Sequence, residues 1–216
     1  MTTFFYLHGW ASSPQSSKAQ FFKQCFDQRG LSLQIPDLNQ KDFYHLTLTR
    51  QIQQVEALLP DSPVTIIGSS FGGLIALWLA ERQPQIQSIV VLAPALNFLT
   101  LCQARMGETQ FARWRSQGEF AFYHYAEQRE RLISYAFVED MHQYVDADLL
   151  QRRVPTLILH GNKDDVVPIQ TSRDFAATRP WVKLVEFDSD HRLGDVQAQL
   201  WQAISSFPRA GAMPLS

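Results

Sequence analysis

The sequence predicts an α/β fold: a mostly parallel six-stranded sheet flanked by helices, with a helical cap inserted between two of its strands. Three observations predict it. Short β-branched runs alternate with segments of helical period along most of the chain. One stretch, VTIIGSSFGGLIALWL at residues 64–79, passes from a buried-strand pattern through a glycine-serine corner into a helix-forming run. From about residue 93 to 153 the alternation stops and aromatic residues accumulate instead. The 216 residues suit one domain spanning 1–216, with the cap expected at about 95–152.

The elements follow in order. TFFYL at 3–7 reads as the first strand and ends at His8-Gly9-Trp10. The turn-rich ASSPQSS supplies serines that can cap a helix over 18–29, which Gly30 stops. A second strand at 31–35 is closed by Pro36-Asp37, and an apolar-periodic helix spans 46–59 with Ile52, Val55, Leu58 and Leu59 on one face. Pro60 and Pro63 end it before the third strand, Val64 to Ile67. Pro84 ends the next helix, and IQSIVVL at 86–92 is the fourth strand. In the long aromatic segment, interleaved charges such as RWRSQGEF and AEQRERL suggest several amphipathic helices and no strand. The strand rhythm returns with VPTLILH at 154–160 and, after a helix at 169–178, with 182–187. A last helix covers 193–207, and the tail after Pro208 is expected to be disordered.

In open parallel sheets, sites lie beyond the carboxyl ends of the strands. Here those ends carry His8-Gly9-Trp10, Ser70, Asp164 or Asp165, and His191. Gly68-Ser69-Ser70-Phe71-Gly72 is a G-x-S-x-G, which arises by chance in roughly 7% of chains this long, so its context decides its meaning. A strand directly before it and a helix directly after it suit a strained turn presenting Ser70. The bland alternatives are a tight packing turn and a phosphate loop, and no lysine follows to support the latter. A serine hydroxyl needs a base, and the base needs a carboxylate to hold its tautomer. His191 alone among the six histidines follows the last strand in a polar turn; His45, His124 and His142 read as surface or packing residues, and His8 and His160 precede glycines inside strand-end turns. Asp164 is the favoured carboxylate, with Asp165 free to tie down the turn before Val166-Val167-Pro168 and Asp188 and Asp190 expected to cap theirs. The backbone N–H groups of Phe71 and Trp10 are the expected donors to an oxyanion.

YLHGWASSPQSSKA, GSSFGGLIALWLA, LHGNKDDVVP and DSDHRL together resemble the serine-hydrolase branch of the α/β-hydrolase superfamily, and in particular the small bacterial YqiA-type esterases, whose opening motif is similar to LHG-x-x-SSP-x-S-x-KA. The resemblance covers about 140 residues of core and leaves the cap unmatched. It implies the α/β-hydrolase fold, Ser70 as nucleophile, Asp164 as acid, His191 as base, the Trp10 and Phe71 amides as the oxyanion hole, and esterase or thioesterase activity.

Composition narrows the remaining classes. Nineteen basic residues against 21 acidic ones leave a charge of −2, with none of the basic excess of a nucleic-acid binder. Two cysteines, Cys25 and Cys102, in no metal or disulfide spacing are expected to be free thiols. No basic leader or long apolar run appears, so a cytoplasmic protein is expected, acting on a small acyl ester or thioester without cofactor or metal. Arg105, Arg113, Arg115, Arg129 and Arg131 in the cap could meet an anionic head group, although such arginines more often form a solvated helix face. Two other readings stay open: the same residues used for elimination or carbon–carbon cleavage, and a non-catalytic binding protein on the same fold.

Overall fold

A computed structural model of the protein describes residues 2–145 and 147–207; the tail expected to be disordered lies outside the described residues. The central sheet contains β1 (Thr3–Leu7), β2 (Leu33–Gln34), β3 (Val64–Ser69), β4 (Ile86–Leu92), β7 (Thr156–Gly161) and β8 (Val182–Phe187), in the order β2-β1-β3-β4-β7-β8. Every pair in it is parallel. The crossovers carry α1 (Ser17–Asp27), α2 (Leu48–Glu56), α3 (Phe71–Arg82) and α6 (Ile169–Ala177), and α7 (Gln197–Ser206) follows β8.

Because successive strand residues point to opposite faces, the sheet has two apolar layers. Phe5, Leu7, Ile66, Ile89, Val91 and Ile158 face α2, α3 and the inserted segment. Phe4, Tyr6, Ile67, Val90, Leu157 and Leu159 face α1 and α7. The third strand is buried along its whole length, as a central parallel strand must be. Full burial of one such aliphatic or phenyl side chain is worth roughly 1.5–3 kcal/mol. The edge strand β2 is much shorter than its sequence suggested, and α2 stops at Glu56, leaving Leu58 exposed in the turn that follows.

The segment between β4 and β7 differs from expectation. It holds α4 (Phe98–Gln117) and α5 (Ala136–Met141), but also an antiparallel hairpin, β5 (Glu119–His124) with β6 (Arg129–Ser134). The expectation of helices alone is therefore corrected. In EFAFYH, Phe120, Phe122 and His124 alternate with Glu119, Ala121 and Tyr123 in the period of a strand; the first set packs inward and Tyr123 stays exposed. Gly107, with φ 75° and ψ 159°, breaks α4 into two halves, a conformation that a side chain would strain.

What positions the turn between β3 and α3 is glycine packing. A Cβ at Gly72 would lie 2.2 Å from the Leu7 carbonyl oxygen and 2.6 Å from that of His8, and one at Gly68 would lie 2.3 Å from the Gly72 oxygen. Both glycines of the G-x-S-x-G thus let α3 begin against the ends of β1 and β3. Gly72→Ala is expected to lower stability by about 1–3 kcal/mol, read as a lower midpoint in urea unfolding, because the atoms that would have to yield are backbone.

Candidate active site

Ser70 sits between β3 and α3 with φ 54° and ψ −114°, a conformation costing roughly 1–3 kcal/mol for a residue with a side chain. The turn is held from both sides. Ser70 N–H donates to the Leu92 carbonyl at 2.8 Å, and its own carbonyl accepts from the N–H groups of Gly73, Leu74 and Ala95. The strain therefore persists, and it presents the hydroxyl at the N-terminus of α3. Burial pushes the hydroxyl of Tyr6, on the neighbouring strand, above the usual phenol range, with the Ser69 side chain pulling against it.

The structure brings the three sequence-predicted side chains together. His191 Nε2 lies 3.1 Å from Ser70 Oγ, and its Nδ1 lies 2.7 Å from Asp164 Oδ2. A carboxylate only accepts, so Nδ1 carries the proton and Nε2 is left to accept from the serine. His191 is 18% exposed, whereas the Asp164 side chain is fully buried. Ser70, Asp164 and His191 come from β3–α3, β7–α6 and β8–α7 connections, all at the carboxyl ends of their strands.

Asp164 also does what was expected of Asp165. Its Oδ1 accepts from the N–H groups of Val166 and Val167 at 2.9 and 2.8 Å, tying down the turn before α6. Asp165 instead offers its carbonyl to Arg105. Asp190 caps its turn as expected, accepting from Arg192 and Leu193 N–H, while Asp188 forms an exposed ion pair with Lys163. Burial pushes the Asp164 carboxyl up, but bonds from His160, His191 and Val167 outweigh it and hold the group well below the usual carboxylate range. Burial likewise brings Lys18, at the start of α1, down to about 8 against the opposing pull of Asp164 and Asp190.

Trp10 and Phe71, the expected oxyanion donors, share one aromatic cluster. The Trp10 ring lies 4.6–6.0 Å from the rings of Phe43, Phe71, Phe98, Phe122 and Phe137, three of which come from the inserted segment. Phe71 N–H is among the N-terminal donors of α3 that a helix leaves without an intrahelical acceptor. Gly9, just before Trp10, lies beside the Ser70 turn, where a Cβ would be in ordinary van der Waals contact with Ser70 Cβ at 3.5 Å.

Two histidines set aside in the sequence serve these turns. His8 is buried; its Nε2 accepts from Leu38 N–H at 3.0 Å and its Nδ1–H faces the Gly9 carbonyl, which ties the Trp10 turn to the loop after β2. His160 is buried beside Asp164. The sequence signal was the repeated Leu-His-Gly at 7–9 and 159–161, each at a strand end. His124 is buried in the hairpin, with Nδ1 accepting from Glu127 N–H, whereas His45 is exposed. Among the cap arginines, Arg129 and Arg131 pair with Glu127 and Arg113 bonds Gln117, so three of the five are engaged within the segment itself. Both cysteines are free thiols. Among the described residues no three potential ligands cluster as for a metal ion, and no helix is long and apolar enough to cross a membrane.

Asp164 generates a prediction for acid stability. Its folded-state affinity for protons is depressed, so its stabilising contribution is complete above the ordinary aspartate value of about 4 and is lost as pH falls below it. Asp164→Asn should remove that part of the acid dependence. Urea midpoints of the two proteins between pH 3 and pH 7 are expected to diverge with rising pH, with the larger increase in the wild type.

Comparison with known proteins supports the architecture. The chain aligns with alpha/beta hydrolase domain-containing protein 10 from mouse at 21% identity, covering 92% of this chain and 86% of that one with a TM-score of 0.72. Est1E from Butyrivibrio proteoclasticus aligns at 19% identity over 94% and 84% of the two chains, TM-score 0.73. The monoacylglycerol lipase of Paleococcus ferrophilus aligns at 14% over 93% and 91%, TM-score 0.66. At these identities the likeness establishes the α/β-hydrolase fold. A family model described as "Uncharacterised protein family (UPF0227)" matches residues 3–208, nearly the whole chain, and the protein therefore belongs to that family, the YqiA-type group its opening motif resembles.

Proposed function

We propose that the protein is a serine hydrolase that cleaves a carboxylic ester or thioester through an acyl-Ser70 intermediate. The observation that carries this reading is the hydrogen-bonded series Asp164–His191–Ser70, ending on a strained serine at a helix N-terminus. The α/β-hydrolase fold agrees with it.

In the acylation step Ser70 Oγ attacks the substrate carbonyl carbon while its proton passes to His191 Nε2. The carbonyl π electrons move onto oxygen, and the N–H groups of Phe71 and Trp10 receive the oxyanion, each such donor being worth roughly 3–4 kcal/mol. Collapse re-forms the carbonyl and breaks the bond to the alcohol or thiol, which leaves with the His191 proton. Water then repeats the sequence on the acyl-enzyme, with His191 again as base, releasing a carboxylic acid and free Ser70. Throughout, Asp164 stays ionised and holds His191 Nδ1–H. The rings of Phe98 and Phe137 pack against the rings of both Trp10 and Phe71, and that of Phe122 against Trp10, which favours an apolar acyl part and a cap role for this segment.

Incubation with a fluorophosphonate is expected to give a stoichiometric mass increase located at Ser70. Turnover of a short p-nitrophenyl ester should fall to background in Ser70→Ala, roughly a millionfold loss, and by roughly four orders of magnitude in Asp164→Asn. Folded wild-type protein that neither labels nor turns over the ester would overturn the reading and bring elimination chemistry forward.

A further inference from the structure

Asp164 Oδ2 receives two donors. One is His191 Nδ1–H; the other is His160 Nε2, at 3.1 Å, which also faces the Val167 carbonyl at 3.0 Å. Two acceptors facing one ring nitrogen require that it carry the proton, so Nε2–H is shared between them. At the far side of the same ring, Nδ1 lies 2.7 Å from Ser172 Oγ on α6, whose hydroxyl is then the donor. His160, Ser172 and the Asp164 side chain are all fully buried. The result is an unbroken chain, Ser172–His160–Asp164–His191–Ser70, anchored in α6, β7 and the turns after β3, β7 and β8.

We propose that His160 is a positioning residue for the site, with Ser172 fixing its tautomer: it locks the Asp164 carboxylate in the rotamer that aims Oδ2 at His191 and moderates how strongly that oxygen holds His191. The inference rests on the assignment of Ser70, Asp164 and His191 as the reactive series. A carboxylate whose Oδ1 is committed to Val166 and Val167 N–H has one oxygen left for histidine. With only His191 as donor there, Oδ2 can pivot about the Oδ1 anchor; a second, rigid donor on the same oxygen removes that freedom. That donor also withdraws charge from Oδ2. Removing it leaves a more strongly accepting oxygen, which stabilises the protonated imidazole of His191 and raises the pH at which His191 loses its proton.

The other charged groups near this series are left in place by the substitutions, and Lys18, brought down to about 8 by burial, is present in every variant alike. These groups are Lys18 from α1, Asp190 and Arg192 flanking His191, Asp165 beside Asp164, and Glu186 of β8, which is felt by His160 and is itself paired with Arg173 of α6.

The test uses three variants of the full chain. His160→Leu removes the donor, His160→Gln returns an amide N–H near the former Nε2, and Ser172→Ala keeps the ring but frees its tautomer. The primary readout is the His191 titration midpoint, followed by imidazole NMR on isotopically labelled protein, which needs no turnover. It is expected to rise in His160→Leu and to return toward the wild-type value in His160→Gln. The acid limb of kcat/KM for the p-nitrophenyl ester should shift in step. In His160→Leu kcat should fall about tenfold to hundredfold, the usual range for loss of an outer-shell orienting partner, with a smaller fall in Ser172→Ala and KM little changed in both. An unmoved His191 midpoint in folded His160→Leu overturns the proposal, as does His160→Gln behaving like His160→Leu. If His160→Leu does not fold, an unchanged His191 midpoint and kcat in Ser172→Ala overturn it. A wild type without labelling or turnover, but with the expected midpoint shift, refutes the hydrolase reading and leaves the positioning role intact.

Discussion

Two backbone segments touch at Gly72, and the geometry of the candidate site descends from that contact. With a hydrogen in place of a side chain, the first turn of α3 lies directly on the carbonyls of Leu7 and His8. Ser70, two residues earlier, is thereby held above the end of β3 and next to the turn that leaves β1. Its left-handed φ is the local consequence: the chain has to reverse from strand to helix within one residue, and hydrogen bonds to Leu92 and from Ala95 keep it there. The same proximity puts Trp10 and Phe71, distant in sequence, into one aromatic cluster.

A second constraint comes from burying charge. A carboxylate removed from water is tolerated only when donors replace the water, and Asp164 has four: two backbone N–H groups and two imidazoles. The two N–H groups belong to its own turn and the imidazoles to the end of β7 and the turn after β8, so the solution to the solvation problem also gathers these three parts of the candidate site. The two Leu-His-Gly segments use their histidines alike. In each, the histidine is buried and ties the following turn to a neighbouring loop or helix. The glycines differ: at Gly9 a Cβ would make only ordinary contacts, whereas at Gly161 it would lie 2.3 Å from the Ser189 carbonyl just before His191, so only Gly161 admits another turn at close range.

The inserted segment obeys different physics. Its outer surface mixes charges with exposed Tyr123, Tyr125 and Leu132, and it meets the core through aromatic contacts such as Phe122 and Phe137 against Trp10 and Phe98 against Phe71. The hairpin tip is pinned by one backbone bond, Ala126 N–H to the Ala11 carbonyl. Here the sequence misled, because charges alternating with aromatic residues fit a helical stripe and a strand face about equally over six residues. Which period prevails is set by the apolar surface beneath, in this case the rings around Trp10.

The sheet, its flanking helices and the elbow could be read directly from the chain, since buried parallel strands need continuous apolar runs and the strand-to-helix reversal needs glycines on both sides of Ser70. Those requirements act between near neighbours, so they leave a local trace. Ser70, Asp164 and His191 were legible for the related reason that strand ends in such a sheet converge on one edge. The tertiary structure alone decided that Asp164, and not Asp165, ties the turn before α6, that His160 and His8 are buried partners of neighbouring turns, and that the insertion contains a hairpin. Each of these depends on a donor, acceptor or ring supplied from a distant part of the chain, and no local pattern encodes which distant group will arrive.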